Sequence, residues 1–259
     1  MSLTFYKYQG TGNDFVMIDN RKCIFDKANV KLIKQLCDRK FGIGADGLIL
    51  IENTDGIDFN MIYFNADGSQ SFCGNGSRCA VSFASYLGII GNKAQFLSTD
   101  GEHEAWINQD GEVSLKMHDV ESIEKDENFY FINTGSPHYI VSKNDVNEVD
   151  VYYEGQKIRY NERFILEGTN VNFVNYKTDS IDIRTYERGV EDETLSCGTG
   201  VTASALSWAD KNKSSAGKIE VHTKGGILQV AYKRDDFGGF HDIWLIGPAK
   251  MVFKGEFLI

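Results

Sequence analysis

The first half of this chain recurs, in outline, about 124 residues further on. The clearest match aligns Phe72-Cys73-Gly74-Asn75-Gly76 with Ser196-Cys197-Gly198-Thr199-Gly200. Shorter matches keep nearly the same spacing and align Gly44–Leu50 with Gly168–Val174, Thr99–Gly101 with Thr223–Gly225 and Gly10–Val16 with Gly135–Val141. A repeat of this length is longer than the roughly 20–50 residues of a solenoid repeat, so it predicts two copies of a whole domain.

The duplication predicts an α/β (α+β mixed) fold with two pseudosymmetric domains. We expect the N-terminal half to span residues 1–120 and the C-terminal half residues 121–248, because residues 118–128 form a polar, acid-rich stretch. Each half is predicted to be a mixed, mostly antiparallel sheet wrapped around a central apolar helix. A pseudo-twofold axis would then bring the two copies of any loop to a cleft between the domains.

Local patterns predict the elements of each half. Strands are predicted at 15–19, 48–52 and 58–64, with hairpins at 102–107/112–117 and 227–232/242–246. A helix capped by Asp26 should bury Val30, Ile33, Leu36 and Cys37 and stop at Gly42. Residues 78–87 and 201–208 consist mostly of small and apolar side chains, which is typical of buried helices.

Composition narrows the class of protein. Hydrophobic residues make up 42% and charged residues 25%, which is typical of soluble globular proteins. The formal net charge of −10 disfavours non-specific binding to nucleic acid or anionic membranes. The N-terminus lacks the pattern of a signal peptide, and no apolar run approaches the roughly 20 residues of a membrane span. We therefore expect a cytoplasmic protein whose five cysteines, which lack C-x-x-C spacing, form neither a disulfide framework nor a metal site.

The two cysteine loops carry the predicted chemistry. Glycines after each cysteine allow a tight turn, and a helix that starts there presents N–H groups and partial positive charge to an anion. The same environment lowers the pKa of a nearby thiol. Two such loops suit the removal of a proton from one face of a carbon and its delivery to the other face, with no need for pyridoxal phosphate or another cofactor.

The remaining cysteines and most of the histidines are expected to have structural rather than catalytic roles. Cys23, Cys37 and Cys79 are expected to fill the core. His103, His118, His222 and His241 are expected in hairpins or at the surface, because their spacing does not suit metal ligands. His138 aligns with Asn13 in the repeat, and Asn13 also lies in a glycine-rich loop, so His138 is a candidate for the site.

In these motifs the chain resembles the diaminopimelate epimerase family. The motifs are Gly10-Thr-Gly-Asn-Asp-Phe, Phe41-Gly-Ile-Gly-Ala-Asp-Gly, Phe64-Asn-Ala-Asp-Gly-Ser, Cys73-Gly-Asn-Gly-Ser-Arg-Cys, Gly168-Thr-Asn-Val-Asn-Phe-Val, Tyr186-Glu-Arg-Gly and Glu193-Thr-Leu-Ser-Cys-Gly-Thr-Gly. The resemblance implies cofactor-independent interconversion of LL- and meso-diaminopimelate, in the synthesis of lysine and peptidoglycan precursors. It also implies a small-molecule amino-acid substrate, a homodimer, and a C-terminal tail, residues 249–259, that returns to the first domain.

The resemblance assigns roles to residues of this chain. Cys73 and Cys197 match the acid/base pair, and His138 and Glu187 match residues that tune the two thiols. The positions that match substrate-binding residues are Asn13, Asn65, Gly74, Asn75, Asn170, Glu187, Arg188, Gly198 and Thr199.

The chain departs from the family pattern at three places, which leaves alternatives open. Ser136 stands where the family usually has a substrate-binding Asn, Gly47 where some members have Gln, and Glu191-Asp192 lengthens the stretch after Glu187-Arg188-Gly189. A racemase or isomerase of the same superfamily that acts on another amino acid is therefore the nearest alternative. A second alternative is a carboxylate-binding or thiol-redox sensor, in which Cys73 and Cys197 join reversibly.

Overall fold

The computed structural model describes residues 2–259, and the chain divides into two compact units. In the described part, unit 1 comprises residues 2–115 and 247–259, and unit 2 comprises residues 116–246. The final strand therefore belongs with the first unit. None of the helices in residues 2–259 has the length and apolar character that a bilayer span requires.

Unit 1 is built from strands around two helices. Its strands are β1 (Ser2–Gly10), β2 (Asn13–Asp19), β3 (Gly47–Glu52), β4 (Phe59–Asn65), β5 (Lys93–Ser98), β6 (Gly101–Ile107), β7 (Val113–Lys116) and β17 (Lys250–Leu258). Its helices are α1 (Val30–Cys37) and α2 (Gly74–Tyr86). Each strand from β1 to β7 pairs with the next, and β17 pairs with β1; the β2–β3 and β4–β5 pairs are parallel and the others antiparallel.

Unit 2 is likewise built from strands around helices. Its strands are β8 (Glu124–Lys125), β9 (Phe129–Asn133), β10 (Pro137–Ser142), β11 (Asn170–Tyr176), β12 (Ser180–Glu187), β13 (Asp192–Thr194), β14 (Ala216–Thr223), β15 (Gly226–Arg234) and β16 (Phe240–Gly247). Its helices are a 3-10 turn (Val146–Glu148), α3 (Val151–Arg159) and α4 (Gly198–Lys211). The β10–β11 and β12–β14 pairs are parallel and the others antiparallel.

The strands of the two units pair in a matching order, and the parallel ladders β2–β3 and β10–β11 also match in register. Phe15 pairs with Gly47 in unit 1, and Tyr139 pairs with Val171 in unit 2, so both partners lie 124 residues further along the chain. This register places Asp14, rather than Asn13, at the position equivalent to His138. The alignment of Asn13 with His138 is therefore wrong by one residue.

Helices α2 and α4 are the centres of the two units. Helix α2 packs against β1, β2, β3, β4, β6 and β17, and helix α4 packs against strands β9 to β12, β14 and β15. Residues Gly74 to Val81 are buried without a break, and Gly200 to Ser207 likewise. Small side chains let the strands approach these helices from all sides, as the sequence predicts. The predicted mixed, mostly antiparallel architecture around central helices is confirmed.

Helix α1 differs from the prediction at both ends. Asn29, and not Asp26, is its N-cap, because the Asn29 side chain accepts a hydrogen bond from the Leu32 N–H while Asp26 accepts from Ala28 N–H. The helix ends at Cys37, well before Gly42, since Asp38 turns the chain by accepting from two following N–H groups. The predicted buried face is largely confirmed, although Val30 is exposed and Leu32 buried.

Candidate active site

Each central helix begins directly after a cysteine of the repeated motif. Cys73 caps α2 with an extended backbone (φ −141°, ψ 108°), and its Sγ accepts a hydrogen bond from the Gly76 N–H at 3.4 Å. Cys197 caps α4 with a similar backbone (φ −118°, ψ 112°). The N-terminal end of a helix carries partial positive charge and exposed N–H donors, so both sulfur atoms lie where an anion is favoured.

In unit 1, Asn13 presents its side-chain oxygen to the thiol. Asn13 Nδ2 donates to Asp46 Oδ2 at 2.5 Å, which leaves Oδ1 facing Cys73 Sγ at 3.5 Å and Asn75 Nδ2 at 3.5 Å. Asp46 is itself held by Arg39 Nη2 at 2.7 Å. The predicted site residues Asn13, Cys73 and Asn75 therefore meet, and Asp46 and Arg39 hold Asn13 in place.

A buried arginine supports the turn before Asn13. The side chain of Arg78, in α2, is fully buried, and burial lowers the pKa of its guanidinium. Its Nη2 donates to Thr11 Oγ1 at 3.2 Å, while Nε and Nη1 have no hydrogen-bond partner among residues 2–259. Thr11 has a left-handed backbone (φ 52°), which is strained for a β-branched residue. Arg78 thus ties helix α2 to a strained turn between β1 and β2.

Two further unit 1 positions lie in the strands that precede α2. Asn65 ends β4, and its Nδ2 donates to Ser69 Oγ at 3.0 Å and Ser71 Oγ at 3.2 Å. A Cβ at Gly47 would lie 2.4 Å from Tyr63 Cε2 and 2.5 Å from the Phe64 carbonyl oxygen. No side chain fits at Gly47 without a shift of the backbone.

In unit 2, a buried histidine lies beside Cys197. The His138 side chain is 0% exposed, and burial, assisted by the charge of Arg188, lowers its pKa to about 3. Its Nε2 lies 2.9 Å from Thr199 Oγ1 and 3.0 Å from Ser136 Oγ. Thr199 Oγ1 lies in turn 3.5 Å from Cys197 Sγ. At neutral pH a neutral imidazole is therefore linked to the thiol through a hydroxyl group.

Asn172 and Thr185 hold the Nδ1 side of the His138 ring. Neither residue was predicted from the sequence to belong to the site. Asn172 Nδ2 lies 3.0 Å from His138 Nδ1, and Asn172 Oδ1 accepts from Thr185 Oγ1 at 2.9 Å. A signal for Asn172 was present, because it lies two residues after Asn170 on β11 and so shares its face of the strand.

The remaining predicted residues of unit 2 surround this cluster. Asn170 Nδ2 donates to Ser136 Oγ at 3.2 Å, and its Oδ1 accepts from the Arg188 backbone N–H at 2.9 Å. The exposed Arg188 side chain donates to the Glu167 carbonyl oxygen at 2.8 Å. Glu187 Oε2 accepts from Thr194 Oγ1 at 2.9 Å. Asn170 thus joins the backbone of Arg188 to the cluster around His138.

The other cysteines do not resemble Cys73 and Cys197. Burial raises the pKa of Cys37 to about 11 and that of Cys79 to about 12, so both stay protonated at neutral pH. Cys23 is exposed and has φ 52°, so the prediction that it fills the core is wrong. It lies in a turn after β2, in which its N–H donates to the Asn20 carbonyl oxygen at 2.9 Å. His103 is in a hairpin strand as expected but is buried, with its ring stacked on Phe72 at 4.8 Å.

Comparison with known proteins identifies the family. The family model described as diaminopimelate epimerase matches residues 5–123 and 130–252. The chain belongs to the diaminopimelate epimerase family. It is 51% identical to the diaminopimelate epimerase of Flavobacterium psychrophilum over 96% of this chain and 98% of the relative, and 41% identical to that of Chlorobaculum tepidum over 95% and 98%. The prediction that the protein is an isomerase of the epimerase class is confirmed. The alternative of a carboxylate-binding or thiol-redox sensor loses its support.

A solved structure shows the same fold at low identity. A phenazine biosynthesis protein of the PhzF family from Bacillus anthracis matches with a TM-score of 0.79, at 13% identity over 100% of both chains. This likeness concerns the fold alone.

The three departures from the family pattern have structural explanations. Ser136 takes part in the hydrogen bonds of the site, since its hydroxyl contacts His138, Thr199 and Asn170. Gly47 is required by the ring of Tyr63. Glu191 accepts from Arg159 Nε at 3.3 Å and from Tyr186 at 3.2 Å, so its carboxylate is engaged by neighbours within unit 2.

Proposed function

We propose that this protein interconverts LL- and meso-2,6-diaminopimelate by proton exchange at one α-carbon, with Cys73 and Cys197 as the two acid/base groups. The observation that carries the proposal is the repeated placement of a cysteine as N-cap of a buried central helix, once in each unit. Membership of the diaminopimelate epimerase family supports the substrate.

The reaction needs one thiolate and one thiol. The thiolate takes the α-proton, and the thiol of the other cysteine gives a proton to the opposite face of the resulting carbanion. The substrate keeps its composition, its configuration inverts at that carbon, and the two sulfur atoms exchange protonation states. Exchange with solvent then restores the starting form. Because proton transfer is symmetric in this scheme, the same two groups serve both directions.

The helix ends supply electrostatic stabilisation. We expect the N–H groups of Gly74, Asn75, Gly198 and Thr199 to bind substrate carboxylate oxygens, where negative charge grows as the carbanion forms. A hydrogen-bond donor in such a position contributes about 3–4 kcal/mol in other enzymes.

The remaining roles follow the chemistry of the side chains. Arg188 is exposed, and its planar guanidinium suits bidentate binding of a carboxylate. The amides of Asn13, Asn65 and Asn170 are proposed to bind the amino and carboxylate groups of the substrate. His138 and Glu187 are proposed to tune the thiols, His138 through Thr199.

Substitution of each cysteine tests the mechanism. We expect wild-type protein in heavy water to exchange the α-hydrogen of diaminopimelate and to interconvert the two isomers with no added cofactor. Cys73→Ala and Cys197→Ala should each abolish interconversion, whereas Cys23→Ser, which changes an exposed thiol, should leave it intact. Interconversion by either alanine variant at the wild-type rate would exclude the two-thiol mechanism.

Another amino-acid substrate is the second candidate, because Ser136 and Gly47 change the shape of the site relative to the usual family pattern. A panel of amino and imino acids distinguishes the two. Racemisation of another amino acid, with none of diaminopimelate, would decide for this candidate.

The cellular setting is part of the proposal. We place the protein in the cytoplasm, in lysine and peptidoglycan precursor synthesis, because a reducing compartment preserves the two thiols. We also propose a homodimer, supported by the exposed apolar side chains of Met251, Val252 and Phe253 on β17. Light scattering of the purified protein tests the dimer, and a monomer mass at micromolar concentration would exclude it.

A further inference from the structure

The structure assigns Asn172 as a positioning residue that sets the direction of the hydrogen bonds running to Cys197. The inference rests on the proposed function, in which Cys197 must carry a negative charge at one stage of the reaction. Asn172 acts on Cys197 through His138 and Thr199.

The argument begins with the buried amide. Asn172 and His138 are both 0% exposed, and Thr185 is 4% exposed, so each must find its partners within the protein. Asn172 Oδ1 accepts from the Thr185 hydroxyl at 2.9 Å, so Asn172 Nδ2 is the group that faces His138 Nδ1 at 3.0 Å. An amide nitrogen only donates, which makes His138 Nδ1 an acceptor.

The helix favours this orientation of the amide. A Cβ at Gly200, in the first turn of α4, would lie 2.6 Å from Asn172 Oδ1 and 3.3 Å from His138 Nδ1. The missing side chain therefore lets the amide oxygen approach the positive end of the helix. A carbonyl oxygen is stabilised there, and an amino group is not.

The orientation of the Asn172 amide determines the direction of the hydrogen bonds from His138 through Thr199 to Cys197. With Nδ1 as acceptor, the single proton of neutral His138 lies on Nε2 and is donated to Thr199 Oγ1 at 2.9 Å or to Ser136 Oγ at 3.0 Å. When Thr199 accepts from His138, its own hydroxyl proton is available for Cys197 Sγ at 3.5 Å. A donor aimed at the sulfur stabilises a thiolate.

The opposite tautomer would reverse this effect. A proton on Nδ1 leaves Nε2 as an acceptor, and the Thr199 hydroxyl would then donate to Nε2 instead of to the sulfur. The other ionisable groups of unit 2 near this cluster are Arg188, Glu187 and His118. A substitution at Asn172 does not remove any of these three side chains.

Asn172→Asp is the sharpest variant, because it keeps the shape and replaces the donor by an acceptor. Asn175→Asp, on the same strand but away from His138, is the matched control for the added charge. Two measurements are made without substrate: the ¹⁵N NMR shifts of the His138 ring, and the pH midpoint for alkylation of Cys197 by iodoacetamide, followed by mass spectrometry of the labelled peptide.

We expect wild-type protein and Asn175→Asp to carry the His138 proton on Nε2, and Asn172→Asp to carry it on Nδ1. The alkylation midpoint of Cys197 should rise by about one to two pH units in Asn172→Asp alone, since a hydrogen bond to a charged group changes an equilibrium by roughly 10- to 100-fold. The Cys73 midpoint should stay constant.

Two results would overturn the inference. One is a wild-type His138 with its proton on Nδ1, which can be read even if the variant does not fold. The other is a folded Asn172→Asp protein in which the Cys197 midpoint is unchanged or lower. Neither measurement involves turnover, so a failure here is distinct from a failure of the proposed epimerase activity, which the isomer interconversion assay reports.

Discussion

Thr199 Oγ1 lies 2.9 Å from His138 Nε2 and links that buried ring to the sulfur of Cys197. Removing this hydroxyl while keeping the side-chain shape tests its importance. We expect Thr199→Val to lower kcat/KM by roughly 10- to 100-fold, because a thiolate loses one hydrogen bond. Thr199→Ser keeps the hydroxyl and should retain most activity. Equal activity of the two variants in a steady-state assay would contradict this role.

The low pKa of His138 makes stability depend on pH in a defined window. The folded-state pKa of about 3 lies below the ordinary value near 6.5, so the unfolded chain binds more protons between these pH values. The contribution of His138 to the free energy of unfolding therefore rises between about pH 3 and pH 6.5, by up to roughly 1.4 kcal/mol per pH unit. Above that range the contribution is constant. Urea unfolding at pH 5 and pH 7 should show a larger difference for wild-type protein than for His138→Gln. An identical difference in the two proteins would mean that folding does not lower the pKa of His138.

Gly200 is expected to be irreplaceable even though it lies in a helix. Alanine normally stabilises a helix relative to glycine by about 1 kcal/mol. At this position the added Cβ would lie 2.6 Å from Asn172 Oδ1, so Gly200→Ala should instead destabilise the protein, by about 1–3 kcal/mol. Adding Asn172→Ala should recover part of that loss. A double-mutant cycle of unfolding free energies measures the coupling, and strictly additive effects would show that the two residues do not compete for space.

Arg78 is expected to show a conflict between stability and activity. Replacing a buried guanidinium that has one hydrogen bond by an apolar chain removes a desolvation penalty, so Arg78→Met should raise the unfolding free energy by about 1 kcal/mol or more. The same change releases the Thr11 turn, and turnover should fall by up to roughly tenfold. Arg78→Lys provides the control with retained charge. A variant that is both less stable and fully active would contradict this account.

The last strand is expected to stabilise unit 1 selectively. Strand β17 pairs with β1 along nearly its whole length, from Ser2↔Leu258 to Gln9↔Lys250. Deleting residues 249–259 should therefore expose the amides of β1 and lower the melting temperature of unit 1, while unit 2 keeps its protection. Hydrogen exchange read peptide by peptide checks this expectation, and uniform loss of protection in both units would oppose it.

Much of the fold was predictable because its signals are local. The helices after Cys73 and Cys197 follow from small and apolar residues, and the strands from alternation and turn residues. The start of α1 was not predictable from the sequence, since Asp26 and Asn29 are both residue types that cap helices well. Only the hydrogen bonds from the N–H groups of Ala28 and Leu32 decide between them. The burial of Arg78 was equally hidden, because it depends on the turn at Thr11, more than sixty residues earlier.

The candidate site was predictable to a similar degree. The cysteines and the residues that follow them stand out by repetition, and the family resemblance supplies the amides. Asn172 and Thr185 were missed because their importance depends on a partner, His138, that lies on a different strand. Sequence alone shows two polar residues in buried strands, whereas the direction of each hydrogen bond requires the packed structure.

The place of β17 in the chain also affects how the protein is made. During synthesis, β1 leaves the ribosome long before its partner β17, because the whole of unit 2 lies between these two strands in the chain. The second unit can therefore complete its sheet earlier than the first, although it is translated later. For that interval the nascent chain carries an uncovered strand edge, and a chaperone that recognises extended apolar segments would find its target there.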